Sequence, residues 1–238
     1  MAGFKFGNKA NFGDNSTLSG SFQYVFGSGN SNSADLSLVG GVSNTATSSA
    51  DESFIWGSGN SVTGSNNFVF GDSHTVNNAA THNLIAGLNC SGASTNTDAN
   101  LMVGGNLKST MRYNFTFGQD NINDEDIYGV GHHMVGGRNN TVSGSYYGIT
   151  SGRHNLAPFE FGYGLQIGHS GSTRDKIHGA ISTAAGAFAA KGDAQLTSHV
   201  VYRGQTTNNT ATVIYNAADA NNKWTLAAND SVLVKATV

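Results

Sequence analysis

The sequence has little charge, almost no proline and a single cysteine. Charged residues make up 11% of its 238 residues, and proline occurs once, at Pro158. Disordered chains usually combine high net charge with few aromatic residues, whereas here the net charge is −3 and aromatic residues reach 10%. Collagen requires glycine at every third position and abundant proline, and this chain has neither. The chain is therefore expected to fold, and not as collagen.

Further absences limit the partners of the protein. A net charge of −3 gives no basic footprint for nucleic acid. No apolar run approaches the roughly eighteen residues of a membrane helix, and no positively charged segment followed by an apolar run opens the chain. Cys90 has no partner for an intrachain disulfide and is expected to be a small buried side chain. The sequence thus predicts no nucleic-acid partner, no membrane insertion and no cofactor.

Glycine and small polar residues are abundant instead. The 32 glycines stand among many Asn, Ser and Thr residues and are interrupted by short apolar runs. This composition is typical of many tight turns that join many short strands. The expected fold class is all-β.

A short block recurs along the chain: two or three apolar residues, then glycine, then usually Asn about three residues later. Successive glycines are 14 to 19 residues apart, with a period of about 15. The ten glycines are Gly27, Gly41, Gly57, Gly71, Gly87, Gly104, Gly118, Gly137, Gly152 and Gly168. This period fits one coil of a narrow parallel β-solenoid, with two short strands and two turns. We expect the glycine at a corner that a Cβ would strain, and the Asn stacked from coil to coil.

Several apolar runs are continuous, which predicts strands that are buried on both faces. One face can fill the coil, whereas the other face would form a strip larger than monomers normally expose. Copies of the same chain around an axis would cover it, and three flat faces enclose a common axis, so a homotrimer is predicted. The strip is assigned to Val25, Ile55, Val69, Ile85 and Met102, or else to their immediate neighbours.

The repeat divides the chain into three parts. Residues 1–178 are expected to form the solenoid, with an outward loop between Gly118 and Gly137. Residues 179–192 are rich in alanine and are interpreted as a linker or a short helical segment. Residues 193–238 alternate again between apolar and polar, with Asn-Asn turn signals, and predict a small antiparallel β-domain.

Two stretches carry a family resemblance. The unit at 54–65, FIWGSGNSVTGS, resembles the repeats of trimeric autotransporter adhesin heads and of phage tail fibres. In both groups, three left-handed parallel β-rolls pack side by side. The stretch from Phe188 to Gln195 that leads into 200–207, VVYRGQTT, resembles the terminal domain of phage tail-fibre proteins.

The resemblance implies a structural and adhesive virion protein of a bacteriophage tail, made in the host cytoplasm and acting outside it. Its implied partners are itself, other virion tail proteins and a host cell-surface glycan or protein. The alternative is the head of a bacterial trimeric surface adhesin, and a polysaccharide-cleaving tailspike is less favoured.

Catalytic and metal motifs are weak. Asp124, Glu125 and Asp126 are adjacent on an expected loop, where neighbouring side chains point in different directions. His132 and His133 would face opposite ways on a strand, so we expect no metal site there. No Gly-x-Ser-x-Gly elbow between a strand and a helix occurs, and coils of about 15 residues leave little room for a catalytic groove. The expected function is not enzymatic.

Receptor contact is expected on irregular features, because near-identical coils present near-identical surfaces. The candidates are the terminal β-domain and tyrosines on loops, namely Tyr128, Tyr146, Tyr147 and Tyr163.

Overall fold

The computed structural model describes residues 9–77, 80–92, 99–110, 112–124, 133–143, 147–157, 164–172, 181–191 and 194–198. Every regular element within these ranges is a β-strand. Strands of four to six residues alternate along most of the chain with strands of two or three. The prediction of an all-β chain is therefore confirmed for the part that the structure describes.

The longer strands form a 13-stranded sheet, called here the long-strand sheet. They are β1 (Lys9–Phe12), β3 (Gln23–Ser28), β5 (Leu38–Val42), β7 (Phe54–Ser58), β9 (Phe68–Asp72), β11 (Leu84–Leu88), β13 (Leu101–Gly105), β15 (Phe115–Gln119), β17 (Met134–Arg138), β19 (Ile149–Arg153), β21 (Leu165–His169), β22 (Ile181–Gly186) and β23 (Ala194–Ser198).

The shorter strands form a 10-stranded sheet, the short-strand sheet. They are β2 (Thr17–Leu18), β4 (Ser31–Asn32), β6 (Thr45–Ala46), β8 (Ser61–Val62), β10 (Thr75–Val76), β12 (Ser91–Gly92), β14 (Lys108–Ser109), β16 (Ile122–Asp124), β18 (Thr141–Ser143) and β20 (Leu156–Ala157).

The chain winds as a parallel β-solenoid, as predicted. Each long strand pairs in parallel with the long strand of the next coil, and each short strand does the same in its own sheet. One coil therefore contributes one rung to each sheet. In-register partners such as Val25, Val39 and Ile55 lie 14 and 16 residues apart, which is the predicted repeat.

The core lies between the two sheets. Long strands contribute Val25, Ile55 and Ile85, and short strands contribute Val62 and Val76, all with no exposed surface. Further along the stack the interior becomes polar at Ser109, Thr116 and Asn123, and a second apolar cluster follows at Val135, Val142 and Ala157. The coil is narrow, so medium-sized aliphatic side chains fill it.

The ten repeat glycines form an in-register ladder, and each is the next-to-last residue of its long strand, not a residue of the corner itself. All ten have positive φ, from 97° at Gly27 to 147° at Gly104. A Cβ added at Gly57 would lie 1.8 Å from the carbonyl oxygen of Gly71 in the next coil. Two requirements therefore coincide at this position: a backbone angle that L residues avoid, and close approach of the next coil.

A first polar ladder runs beside the glycine ladder. Asn44 donates from both its backbone N–H and its Nδ2 to Oδ1 of Asn30, at 2.9 and 3.1 Å. Its own Oδ1 accepts from the backbone N–H and the Nδ2 of Asn60, at 3.0 and 2.9 Å. Nδ2 of Asn44 also donates to the carbonyl of Gly57 in the next coil, at 2.8 Å. The predicted stacking of Asn side chains between coils is confirmed.

His74 takes the place of Asn in this ladder. Its Nδ1 accepts from the backbone N–H of Cys90 at 3.0 Å, so Nε2 carries the proton and donates to the carbonyl of Phe70 at 2.8 Å. Burial lowers the pKa of His74 more than its hydrogen bonds to backbone raise it. The neutral imidazole therefore mimics the acceptor and donor of an Asn amide.

A second polar ladder, which the sequence analysis missed, lies at the opposite corner. The residue just before each long apolar run is buried, as at Asn67, Asn83, Asn100 and Asn114. Oδ1 of Asn67 accepts from both the backbone N–H and the Nδ2 of Asn83, each at 3.0 Å. The backbone N–H of Asn100 and of Asn114 each donates to the preceding Asn, at 2.9 and 2.8 Å. The signal was present in the sequence as an Asn before four successive runs.

His133 continues the second ladder. Its backbone N–H donates to Oδ1 of Asn114 at 2.8 Å, and its Nε2 lies 3.1 Å from the hydroxyl of Thr150. The ring lies over Gly148, where a Cβ would come within 2.5 Å of the ring carbon Cε1. Burial lowers the pKa of His133 from 6.5 to about 3.

The buried histidines should make the solenoid sensitive to acid. Since the folded-state pKa lies below the unfolded one, the unfolded chain binds more protons between these values. Stability should therefore fall as the pH drops from about 6.5 towards about 3, by on the order of 4 kcal/mol for His133.

The double variant His74→Asn/His133→Asn places the ladder's own residue at both positions and should flatten this dependence in urea titrations. The exposed His82→Asn is the control, and an unchanged pH slope in the double variant would contradict the assignment.

The alanine-rich segment is a strand where it is described. Ile181–Gly186 pairs in parallel with β21 and adds a further rung to the long-strand sheet, so the prediction of a linker at 179–192 is wrong for these residues. Strand β23 then pairs antiparallel with β22. Most of the terminal domain predicted at 193–238 lies outside the described residues.

Candidate functional site

The outer face of the long-strand sheet is the largest distinctive surface of the described chain. Successive strand residues point to opposite sides, so the residues before and after each core position face outwards. The first outward position is apolar in eleven consecutive rungs. These in-register residues are Tyr24, Leu38, Phe54, Phe68, Leu84, Leu101, Phe115, Met134, Ile149, Leu165 and Ile181.

A second outward column runs beside the first, two residues along each strand. It contains Phe12, Phe26, Gly40, Trp56, Phe70, Ala86, Val103, Phe117, Gly136, Ser151, Ile167 and Thr183. The two columns together are called here the outer apolar face. Many of its side chains remain exposed in the single chain, including Trp56 at 43%, Phe68 at 42% and Leu84 at 40%.

Aromatic rings of this face stack between neighbouring rungs. Phe12 stacks on Phe26 with ring centroids 4.9 Å apart, and Phe54 stacks on Phe68 at the same distance. The Trp56 ring covers Gly40 of the preceding rung, where a Cβ would come within 2.3 Å of it. Phe117 covers Gly136 of the next rung in the same way. A large ring therefore lies over a neighbouring glycine at two places in the second column.

The residues first assigned to the subunit-facing strip are in the interior instead. Val25, Ile55, Val69 and Ile85 have no exposed surface and Met102 has 1%, because they point between the two sheets. Their immediate neighbours, the other set considered from the sequence, form the outer apolar face. Because side chains alternate along a strand, the first-assigned residues and their neighbours must lie on opposite sides of the sheet. Both sets are apolar, so hydropathy alone did not show which set faces the interior.

A shallow, open depression of about 410 Å³ adjoins this face at the first coils. It is lined by Phe22, Tyr24, Leu36, Ser37, Leu38, Glu52, Ser53 and Phe54. Its walls are mainly apolar, and three of its residues already belong to the outer apolar face. We treat it as the margin of that surface.

The outer face of the short-strand sheet has a different chemistry. Its first six outward residues all carry hydroxyl groups: Thr17, Ser31, Thr45, Ser61, Thr75 and Ser91. The hydroxyl of Thr17 donates to that of Ser31 at 3.2 Å. The two faces of the solenoid therefore differ, one being wide and apolar and the other narrow and polar.

Three titratable side chains of the described residues, His74, Cys90 and His133, are buried inside the coil. Cys90 is buried in the first polar ladder, and desolvation raises the pKa of its thiol. His133, proposed from sequence as half of a weak metal motif, is buried in the second ladder. No group of three or more His, Cys, Asp or Glu side chains comes together within the described ranges.

Several sequence candidates cannot be placed. His132, Glu125, Asp126, Tyr128, Tyr146 and Tyr163 lie outside the described residues, as does the side chain of Asp124. Tyr147 is described and is 48% exposed.

The sequence matches no known family model and no curated protein. Within the part of the chain that is described, no helix is long and apolar enough to cross a membrane.

Proposed function

We propose that the protein is a rigid segment of a bacteriophage tail fibre, assembled as a homotrimer through the outer apolar face and contributing to attachment to the host surface. The observation that carries this proposal is the column of eleven consecutive apolar rungs, flanked by a second column of mainly apolar residues. Soluble monomers rarely expose a continuous apolar surface of this extent.

The energetics favour coverage of this face. Fully burying one large apolar side chain stabilises by roughly 1.5–3 kcal/mol. Association costs about 4–15 kcal/mol in lost translational and rotational freedom. Eight large side chains of this face are 38–45% exposed in the single chain. Covering them would contribute roughly 5–10 kcal/mol per chain, which is comparable with this cost.

A second copy of this chain fits the face better than an unrelated partner does. The face is an array that repeats with the rung spacing of a parallel sheet, about 4.8 Å. An identical array has the same spacing and the same chemistry. A rotation axis parallel to the stack brings equivalent rungs to the same height, and three such faces enclose a common axis.

The two polar ladders support a role as a spacer. They link successive coils at both corners, as from Asn30 to Asn60 in the first ladder and from Asn67 to His133 in the second. Bending the stack there would break hydrogen bonds of buried amides, which is costly. A stack of near-identical coils supplies length and stiffness.

The choice of a phage tail over a bacterial adhesin head rests on the resemblance of residues 188–207 to tail-fibre terminal domains. Flanking reading frames that encode tail proteins would support this choice, and a membrane anchor in the same frame would contradict it.

Charges placed on the outer apolar face should dissociate the assembly without unfolding the coil. The double variant Leu84→Glu/Ile149→Glu introduces two distant carboxylates that an interface would have to desolvate. We expect it to sediment as a monomer with an unchanged far-ultraviolet circular dichroism spectrum.

The matched control is Thr45→Glu/Thr75→Glu, which adds the same charge to exposed positions of the short-strand sheet. It should keep the mass of the unmodified protein. If both double variants behave alike, the outer apolar face is not the assembly surface.

A further inference from the structure

Three consecutive rungs carry a cationic or ionisable side chain at one position. Arg138, Arg153 and His169 are the last residues of β17, β19 and β21 and are paired in register. All three are exposed. His154 and Lys191 lie close to them, and we call these five residues the cationic column. The spacing was visible in the sequence as a basic residue or histidine after three successive ladder glycines.

The fold does not require cations at this position. The in-register residues of the seven preceding rungs are Ser28, Val42, Ser58, Asp72, Leu88, Gly105 and Gln119. Like charges directly opposite each other on neighbouring strands destabilise a sheet. The stack of Arg138 on Arg153 therefore costs stability, whereas no two neighbouring rungs before it carry like charges at this position.

The local field is positive. The His154 and His169 rings lie 5.7 Å apart. The pKa of His154 is lowered, first by desolvation and then by Arg153, His169, Lys191 and Arg138. Among the described residues, the carboxylate paired with the column is that of Asp120, whose Oδ2 lies 3.9 Å from Nε of Arg138. The guanidinium of Arg153 has no such ion pair in the described part of the chain.

We propose that the cationic column binds an anionic polysaccharide, through carboxylate or sulfate groups carried on successive sugars. Guanidinium groups donate paired N–H bonds to planar oxyanions, and here they project in a line along the stack at a spacing of about 4.8 Å. A linear polymer that runs along this edge meets two guanidinium groups and then the imidazole of His169 on successive rungs.

Duplex nucleic acid fits this surface less well. Its phosphates are spaced at about 3.4 Å along each strand, and its protein footprints commonly engage about 6–10 phosphates. The column offers three permanent cations, Arg138, Arg153 and Lys191, and two histidines, on a chain with a net charge of −3. The choice of a glycan as the ligand rests on the proposed role in host attachment. The inference that the column binds anions does not depend on that role.

The test uses the full chain and the double variant Arg138→Gln/Arg153→Gln, which extends the neutral Gln119 of the preceding rung. The probes are heparin, which is sulfated, polygalacturonate, which is carboxylated, neutral dextran and duplex DNA. We expect saturable binding of heparin or polygalacturonate that weakens with salt and falls about tenfold or more in the variant. Dextran should not bind.

The control variant is Lys9→Gln/Lys108→Gln, which removes two cations that lie on other strands and not in the column, β1 and β14, and should leave binding unchanged. Equal loss in both variants, or no loss in either, would overturn the column as the site. DNA binding tighter than that of both polysaccharides would overturn the glycan assignment. The assembly formed by the Arg138→Gln/Arg153→Gln variant in solution should have the same mass as that of the unmodified protein. A loss of binding at unchanged mass would therefore be due to the column and not to failed assembly.

Discussion

Replacing Gly57 by alanine should prevent the solenoid from folding. The substitution places a Cβ where φ is 137°, a region that L residues avoid, and 1.8 Å from the carbonyl oxygen of Gly71. Because the obstacle is the backbone of the next coil, no side-chain rearrangement relieves it. We expect a loss of more than about 4 kcal/mol, measured by urea unfolding or seen as aggregation on expression.

Gly59 provides the matched control, two residues further along. Its φ is also positive, at 64°, but an added Cβ would meet nothing closer than 3.8 Å. Ser73 occupies the equivalent position of the next coil with a φ of 58°. Gly59→Ser should therefore change stability by less than about 1 kcal/mol. Equal effects at Gly57 and Gly59 would contradict the ladder as the reason for the repeat glycine.

A charge at Ile55 should destroy the coil, whereas a charge at the adjacent Trp56 should not. Ile55 is fully buried between the sheets, so Ile55→Asp leaves a carboxylate without water or a partner and should cost more than about 4 kcal/mol. Trp56 is 43% exposed on the outer apolar face. Trp56→Asp should keep the β-sheet circular dichroism spectrum and weaken assembly. Retention of that spectrum in both variants would contradict the assignment of the interior.

The coil repeat was predictable from sequence because its cause is local. Backbone geometry requires glycine at each ladder position, and hydrogen bonding to the next coil favours Asn three residues later, which six of the ten repeats have. Because such requirements recur in every coil, the same residue types recur at similar spacings. The spacing between successive glycines therefore predicted the period of about 15 residues and the parallel solenoid.

The identity of the inner face was not predictable by alternation, since Phe54, Ile55 and Trp56 are all apolar. Side-chain size was the available signal. A coil this narrow accepts Val, Ile or Met opposite the small residues of the short strands, whereas Phe and Trp must face outwards. Size tells the two faces apart where hydropathy does not.

Other features needed the pairing partners to be known. The segment 181–186, ISTAAG, has weak strand propensity by itself, and it becomes a strand because the open edge of β21 supplies backbone hydrogen bonds. The cationic column likewise joins residues 15 and 16 positions apart, and it becomes a surface only when the rungs are stacked in register.

The mass of the unmodified protein in solution tests the proposed assembly most directly. Each chain has a mass of 24.7 kDa. Light scattering on the purified full chain, repeated over a range of concentrations, should give a single species of three times that mass. A monodisperse species at 24.7 kDa would show that the outer apolar face remains uncovered in solution, and this would contradict the proposed trimer.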